Sequence, residues 1–334
     1  MVFQSDNYWL SVASELSLIP RSVKRNPRVG CVIVDSSGLL VSKGFHEGYG
    51  TSHAEQVAIK SAGNKSRGST LFVTLEPCNH IGKTPSCCAE IVASGIKRVV
   101  FSKKDPNPIT TNNIAYLKQN GVEVAQLNSN NKYSKINYRW FKSFELKRPY
   151  VTAKIAISID GKINDGKRLN FRITGKDSEI EVHEIRNGND AIISGSQSIL
   201  NDNSRLTVRF PKKLRKEMQP IRYVVGDTKI PITHNIYKDE AETFFLPRLN
   251  PRLVLEELWK NEVRTSLLET GPRLLSKFLE NKLVDELIIY MAPLILGQGH
   301  DFLKENIPGL RDQNWRIANV GLVGKDLRLH LLIN

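Results

Sequence analysis

The sequence is poor in the features that mark secreted and membrane-spanning chains. Only four cysteines occur, and three of them, Cys78, Cys87 and Cys88, lie within eleven positions, which is poor geometry for a disulfide framework in a large chain. No apolar run approaches the ~20 residues that a membrane-spanning helix needs. The opening residues, MVFQSDNYWL, show neither a basic segment followed by an apolar one nor a small-residue cleavage site. We therefore expect a cytoplasmic protein that does not act in a membrane.

The chain is basic, with a formal net charge of +14. Its lysines and arginines are spread along the whole length, with only short clusters such as residues 212–216. Charge alone therefore leaves open a nucleic-acid partner, an anionic phosphorylated substrate or a basic background composition.

The length of 334 residues predicts two domains, since a single hydrophobic core seldom grows this large. Both halves alternate strand-like and helical patterns, which is typical of α/β domains with helices packed on a sheet. The segment Lys147-Arg148-Pro149 precedes a new strand, so we place the domains at residues 1–146 and 147–334. The predicted strands are 29–34, 38–41, 70–75, 98–101, 150–159, 190–194, 221–225, 266–269 and 287–290. The predicted helices include 7–19, 53–62, 175–187, 251–260 and 272–281.

A zinc site of catalytic type is the sharpest chemical signal in the first half. His53 begins a predicted helix, and Cys78 and Cys87 lie in the loop after an apolar strand. One imidazole and two thiolates are the donors that zinc favours, and three protein ligands leave the fourth position to water, whose pKa falls near neutrality. Glu55, two residues after the histidine, can move protons between water and an amidine-like ring. This H-x-E pattern with later cysteines is the known signature of zinc deaminases.

A structural zinc site is the main alternative reading of the same residues. Such a site closes with four protein ligands, and Cys88 or His80 can supply the fourth. Glu55 argues against it, because a structural site gains nothing from a carboxylate at that spacing.

Four segments of the first half belong to one pattern: Asn26-Pro27-Arg28-Val29-Gly30, His53-Ala54-Glu55, the loop 76–88 and Asp105-Pro106-Asn107-Pro108. Together these segments resemble the bifunctional deaminase/reductase family of riboflavin biosynthesis. Eight residues separate Cys78 from Cys87, as in that family, whereas other nucleobase deaminases generally separate the two cysteines by two.

The resemblance implies both a fold and a pair of reactions. The expected fold is α/β, with a cytidine-deaminase-like α/β/α domain followed by a dihydrofolate-reductase-like α/β domain. The expected reactions are zinc-dependent deamination of 2,5-diamino-6-(5-phosphoribosylamino)pyrimidin-4(3H)-one, then NADPH reduction of its ribosyl to a ribityl chain. In the first domain the resemblance places Asn26, His46, His80 and Lys83 at the substrate. The glycines that usually follow Asp105-Pro106-Asn107-Pro108 are absent here.

The second half contains no Gly-x-Gly-x-x-Gly element, so the prediction of its cofactor depends on the resemblance. Lys154 on the opening strand is the implied catalytic residue that approaches the reducible sugar. The implied substrate residues are Arg186, Leu206, Arg209 and Glu269. The two arginines would bind the phosphate through bidentate hydrogen bonds. The implied NADPH residues are Ala156, Arg172, Thr174, Ser198, Asp202 and Gly271.

Four positions depart from the reductase pattern: Arg172, Gln197, Ser204 and Thr270. They leave open an alternative in which the chain only deaminates and the second domain no longer reduces. An alternative of another class is a nucleic-acid-binding deaminase, motivated by the net charge. The sequence is also compatible with a homo-oligomer.

Overall fold

The computed structural model describes residues 4–79, 86–110, 112–127, 135–166, 171–248, 250–303, 307 and 309–333. The chain divides into two compact units, Met1–Phe144 and Glu145–Asn334. No helix among the described residues is both long and apolar enough to cross a membrane.

The first unit is built on a five-stranded sheet in the order β2-β1-β3-β4-β5. Strand β1 runs antiparallel to β2 and β3, whereas β3, β4 and β5 are parallel. Its strands are β1 Gly30–Val34, β2 Leu40–Phe45, β3 Thr70–Leu75, β4 Arg98–Lys103 and β5 Glu123–Gln126.

Helices connect and cover these strands, as parallel pairs require. They are α1 Asp6–Leu16, α2 Ala54–Ala62, α3 Cys87–Ala93, α4 Asn113–Gln119 and α5 Tyr138–Leu146. Gly44 lets α2 lie directly on β2, because a Cβ at this position would stand 2.3 Å from the carbonyl oxygen of Ala54. A larger residue would push the start of α2 off the sheet, and the start of α2 carries His53.

The second unit contains an eight-stranded sheet in the order β12-β13-β11-β6-β10-β7-β8-β9. The six strands from β11 to β9 in this order are parallel, and the hairpin β12–β13 adds two antiparallel strands at one edge. The strands are β6 Tyr150–Ser158, β7 Ala191–Gly195, β8 Ile221–Val225, β9 Thr243–Leu246, β10 Thr265–Leu268, β11 Glu286–Ala292, β12 Trp315–Val323 and β13 Asp326–Ile333.

The helices of this unit are α6 Lys176–Asn187, α7 Ser196–Asp202, α8 Pro251–Lys260 and α9 Pro272–Glu280. The predictions included neither α7, nor β9, nor the hairpin β12–β13. The carboxyl ends of β6, β10 and β7 lie side by side. Open α/β sheets bind ligands at such an edge, so side chains near these ends are the candidates for a second site.

Candidate active sites

Three predicted metal ligands meet in the first unit. The Nδ1 atom of His53 lies 3.2 Å from Sγ of Cys87 and 3.5 Å from Sγ of Cys78. All three donor atoms lie within 4.8 Å of one another. Tetrahedral zinc with ordinary Zn–N and Zn–S bonds separates such donors by about 3.6 Å. The donor types and their spacing therefore fit one zinc ion, and these residues can bind a metal.

Each ligand is placed by a distinct local element. His53 is the N-cap of α2, and its backbone N–H donates to Oε1 of Gln56 at 2.9 Å. Cys87 is the first residue of α3, whose N-cap Ser86 accepts a hydrogen bond from the Ala89 N–H at 3.2 Å. Cys78 follows β3, and its carbonyl accepts the Cys88 N–H at 3.0 Å. Two helix starts and one strand end thus converge on the metal position.

Cys88 turns away from this position. Its thiol donates to the carbonyl of Pro77 at 3.4 Å, and the side chain is fully buried in the core of the unit. Burial also raises its thiol pKa, with further contributions from the charges of Cys78 and Glu55. Cys88 is therefore a core residue and does not close the site as a fourth ligand.

Glu55 is 4% exposed, although its side chain is ionisable. Burial raises the pKa of its carboxyl to about 7, against the opposing effect of His53. A carboxyl that titrates near neutrality can both accept and release a proton. Its position two residues after a metal ligand gives it the chemistry of a proton carrier.

Asn26 and His46 form a polar pair beside the metal ligands. His46 Nδ1 lies 3.1 Å from the Ser52 carbonyl, and the Asn26 amide lies 2.8 Å from His46 Nε2. Burial, with a smaller effect of His53, lowers the pKa of His46 to about 4. The neutral Nδ1–H tautomer satisfies both bonds, because it donates to Ser52 and accepts from Asn26. The ring of His46 also packs edge-on against the ring of His53, with the two ring centroids 5.6 Å apart.

The remaining first-domain predictions, His80 and Lys83, lie outside the described residues. The turn after Asp105 is described, and it is built without the missing glycines. Asn107 N–H donates to Asp105 Oδ1 at 2.9 Å, and the Thr110 hydroxyl donates to the Asn107 carbonyl at 2.7 Å. Asn112 then takes the left-handed conformation, with φ of 59°, which asparagine tolerates better than most residues.

A buried ion cluster lies at the carboxyl edge of the second sheet. Glu269, just after β10, accepts two hydrogen bonds from Arg186 on α6, at 2.9 Å and 2.7 Å. Nζ of Lys154 on β6 lies 3.2 Å from the same carboxylate. Burial alone would raise the pKa of Glu269, but Arg186 and Lys154 outweigh it and hold that pKa below its ordinary value. Lys154, Arg186 and Glu269, all predicted site residues, thus form one ion cluster.

Arg209 lies in a region of positive charge beside this cluster. Its Nη1 donates to the carbonyl and hydroxyl of Thr207, at 3.3 Å and 3.1 Å. Burial lowers its pKa, and so do the neighbouring charges of Arg186 and Arg205. Leu206 has a left-handed backbone, φ 50°, and its side chain is 2% exposed. Any contact that Leu206 makes with a substrate therefore comes from its backbone.

His183 on α6 is a residue that the sequence did not single out. Its Nδ1 accepts the backbone N–H of Arg209 at 3.1 Å, and the side chain is fully buried. Burial, together with the charges of Arg186 and Arg209, lowers its pKa to about 4. Its Nε2 has no hydrogen-bond partner among the described residues. A lone histidine within a helix gives no sequence signal, because its partner is a backbone group 26 positions away.

Two turns at the carboxyl ends of β7 and β10 are joined to each other. Gly271 N–H donates to Oγ of Ser198 at 3.0 Å, and Gly195 N–H donates to Oγ1 of Thr270 at 3.1 Å. A Cβ at Gly271 would stand 3.1 Å from that serine oxygen. Thr270, a departure from the reductase pattern, thus joins the turns. Gln197, another departure, is exposed and bonds to Asn201 within its own helix at 2.9 Å.

The other predicted cofactor residues lie on β6, at the end of α7 and just before α6. Ala156 lies two positions after Lys154 on β6, on the same strand face, and is partly exposed. Asp202 is the exposed last residue of α7. Thr174 is partly buried just before α6, and Arg172, 73% exposed, forms an ion pair with Glu179 on α6.

Comparison with known proteins identifies similar sequences and folds across the whole chain. Residues 149–329 match the family model described as RibD C-terminal domain, and residues 3–103 match the cytidine and deoxycytidylate deaminase zinc-binding region. The riboflavin biosynthesis protein RibD of Buchnera aphidicola subsp. Baizongia pistaciae is 35% identical, with 92% of each chain covered.

Solved structures agree with these matches. RibD of Acinetobacter baumannii superposes with a TM-score of 0.88 at 31% identity, covering 98% of this chain and 99% of that one. A diaminohydroxyphosphoribosylaminopyrimidine deaminase/5-amino-6-(5-phosphoribosylamino)uracil reductase from Thermotoga maritima superposes with a TM-score of 0.82 at 29% identity, with the same coverage.

Proposed function

The chain belongs to the RibD family of bifunctional deaminase/reductases of riboflavin biosynthesis, and we propose which of its residues carry each reaction. Its first domain is a zinc-binding deaminase and its second an NADPH-dependent reductase. The observation that supports the residue assignments most strongly is the convergence of His53, Cys78 and Cys87 beside the buried Glu55.

In the deaminase domain, His53, Cys78 and Cys87 hold zinc. Zinc in such a site acidifies a water molecule, so that water becomes nucleophilic near neutral pH. Glu55 would take one proton from the attacking water and pass it to the ring nitrogen of the substrate. It would then carry a second proton from the new hydroxyl group to the departing amino group, which leaves as ammonia. Its burial keeps that carboxyl able to hold a proton at neutral pH.

The substrate is a phosphoribosylated aminopyrimidine, bound without nucleic acid or membrane. Asn26 orients the pyrimidine ring through its amide, and His46 fixes that amide by accepting one of its hydrogens. A neutral, hydrogen-bonded His46 keeps the orientation constant over the physiological pH range. His80 and Lys83 remain the proposed contacts to the ring and the phosphoribosyl group.

In the reductase domain, Lys154 approaches the sugar of the substrate, and Glu269 holds the substrate in place. The three guanidinium nitrogens of Arg186 are engaged by Glu269 and by the Thr207 carbonyl. We therefore assign the phosphate to Arg209, assign Arg186 to orienting Glu269, and place the backbone of Leu206 against the substrate.

NADPH supplies the hydride for the second reaction. We place the cofactor against the joined turns that carry Ser198 and Gly271, because Gly271 precedes the nine-residue helix α9 and the start of such a helix favours a phosphate group. Ala156, Asp202 and Thr174 remain the other proposed contacts of the cofactor, and Arg172 is exposed enough to meet the 2′-phosphate. No disulfide joins the four cysteines, and a cytoplasmic location stays part of the proposal. A homo-oligomer remains compatible with this assignment.

Purified protein incubated with the diaminopyrimidine phosphoriboside and NADPH tests the assignment. Ammonia release with loss of nicotinamide absorbance is the expected result. Ammonia release alone would show that the reductase assignment is wrong. The Glu55→Gln variant separates the two reactions when the deaminated pyrimidine is supplied, since it should release no ammonia from the diaminopyrimidine but should still oxidise NADPH with the deaminated compound.

A further inference from the structure

We propose that Gln56 is a positioning residue for the zinc site, acting together with Glu90. The inference rests on the proposed function, because it assumes that His53 and Cys87 hold zinc. It adds a side-chain link between α2, which His53 caps, and α3, which begins at Cys87.

The link consists of two hydrogen bonds from one amide. Oε1 of Gln56 accepts the backbone N–H of His53 at 2.9 Å, and Nε2 donates to Oε1 of Glu90 at 2.8 Å. Gln56 is 7% exposed. Glu90 lies one helical turn after Cys87 and is partly buried. The amide oxygen meets a donor and the amide nitrogen meets an acceptor, so exchanging the two ends would break both hydrogen bonds. This fixes the orientation of the amide.

Positioning matters most for His53. Cys78 is already joined to the first turn of α3, because its carbonyl accepts the Cys88 N–H at 3.0 Å and lies 3.4 Å from the Ser86 hydroxyl. His53 belongs to a separate helix, so its distance to the two thiols depends on how α2 is held against α3. The Gln56 amide constrains that distance, because it joins the backbone N–H of His53 on α2 to the side chain of Glu90 on α3.

A helix cap is the simpler interpretation of the same glutamine. A residue at the third helical position often returns its side chain to the N-cap N–H, and this stabilises the helix alone. Capping uses only Oε1. The second bond, to Glu90, ties α2 to α3 and distinguishes positioning from capping.

The test is zinc affinity, measured by competition with a chromophoric chelator on the full chain. Outer-sphere hydrogen bonds of metal sites are typically worth 10- to 100-fold in affinity. We expect Gln56→Leu to weaken zinc binding by about tenfold. Gln56→Glu should weaken it similarly, because two carboxylates then face each other across the link.

The exchanged pair, Gln56→Glu with Glu90→Gln, provides the rescue. Its carboxylate accepts both the His53 N–H and the new amide hydrogen of residue 90, so affinity should return to within about threefold of wild type, well inside the range lost by the single variant. Gln197→Leu is the matched control, since that glutamine is exposed in the first turn of α7 and should leave affinity unchanged.

The outcomes separate the two levels of inference. If wild type binds zinc and the Gln56 variants bind it equally well, or if the exchanged pair is no better than Gln56→Glu, the positioning role is wrong. If wild type itself binds no zinc, the proposed metal site fails and this inference fails with it. If Gln56→Leu melts at a lower temperature without zinc, the Glu90→Ala variant distinguishes positioning from capping, because it keeps the bond from Gln56 to the His53 N–H. Zinc binding about tenfold weaker in Glu90→Ala supports the positioning role. Unchanged zinc binding overturns it.

Discussion

Neutralising Glu269 is the most direct probe of the reductase site, because this carboxylate compensates two buried cations. Arg186, Lys154 and Glu269 are 11%, 14% and 15% exposed. Glu269→Gln preserves shape but removes the negative charge. Its single amide oxygen cannot accept from every donor that now surrounds the carboxylate, and its NH₂ group faces other donors.

The expected cost follows from the burial of all three partners. Removing one partner of a buried ion pair typically costs about 3–5 kcal/mol, because a charge is left uncompensated. Since Gln keeps one acceptor, we expect about 3 kcal/mol for Glu269→Gln. For a unit of this size that loss lowers the melting temperature by roughly 6–12 °C.

The pH dependence of this loss has a definite sign. The pKa of Glu269 is depressed in the folded protein, so its stabilisation is present above the unfolded value of about 4.3 and is lost as pH falls below it. The difference in unfolding free energy between wild type and Glu269→Gln should therefore be constant between about pH 6 and 8 and shrink below about pH 4.3.

Calorimetry of the second unit provides the measurement. Glu257→Gln is the matched control, since Glu257 is 40% exposed and pairs with a 71% exposed lysine; such pairs contribute about 0–1 kcal/mol. The reasoning is refuted if Glu269→Gln melts within the range of that control, or if the difference is largest at acid pH.

Three further predictions, tested with four variants, concern other parts of the two sites. Glu55→Gln should retain zinc by elemental analysis but lose deamination by about 10²- to 10⁴-fold, and an unchanged rate would remove Glu55 from the proton transfer. Cys87→Ala should abolish stoichiometric zinc whereas Cys88→Ala should retain it, and equal loss in both would contradict the ligand assignment. Because the folded pKa of His183 is about 4, its neutral form stabilises the protein above about pH 6.5, and stability is lost as pH falls from there. His183→Asn, whose amide oxygen can still accept from Arg209, should flatten that dependence in urea titrations between pH 4 and 8, and an unchanged slope would show that another group titrates.

Much of the fold is predictable where local pattern and tertiary burial agree. The sequence predicts strand β3 with both ends correct because every residue after Thr70 is apolar or buried between covering helices. The hairpin β12–β13 escapes prediction for the opposite reason. Its first strand is largely exposed, with Ile317 64% and Leu322 76% exposed, so it lacks the compact apolar run that identifies the central strands.

Helix α7 shows a different limit of sequence analysis. Its seven residues, SQSILND, are rich in side chains that favour turns, and an isolated helix this short is unstable in water. Tertiary hydrogen bonds hold it instead: Oγ of Ser196 accepts the Thr228 N–H at 3.3 Å, and Oγ of Ser198 accepts the Gly271 N–H at 3.0 Å. Those partners lie 32 and 73 positions away, beyond any local pattern.

The difference between local patterns and long-range partners also separates the zinc site from the ion cluster of the second unit. Zinc chemistry is carried by residue types in recognisable motifs, so the sequence predicts His53 as a ligand, and the family resemblance selects Cys87 over Cys88. The role of a buried arginine is set by the carboxylate that reaches it, and Glu269 lies 83 positions from Arg186. The family resemblance places both Arg186 and Arg209 at the substrate phosphate. In the structure Arg186 bonds to Glu269 and Thr207, so our proposal assigns the phosphate to Arg209. Burial and the charges of Arg186 and Arg205 lower the pKa of Arg209, against the opposing charges of Glu179 and Glu240.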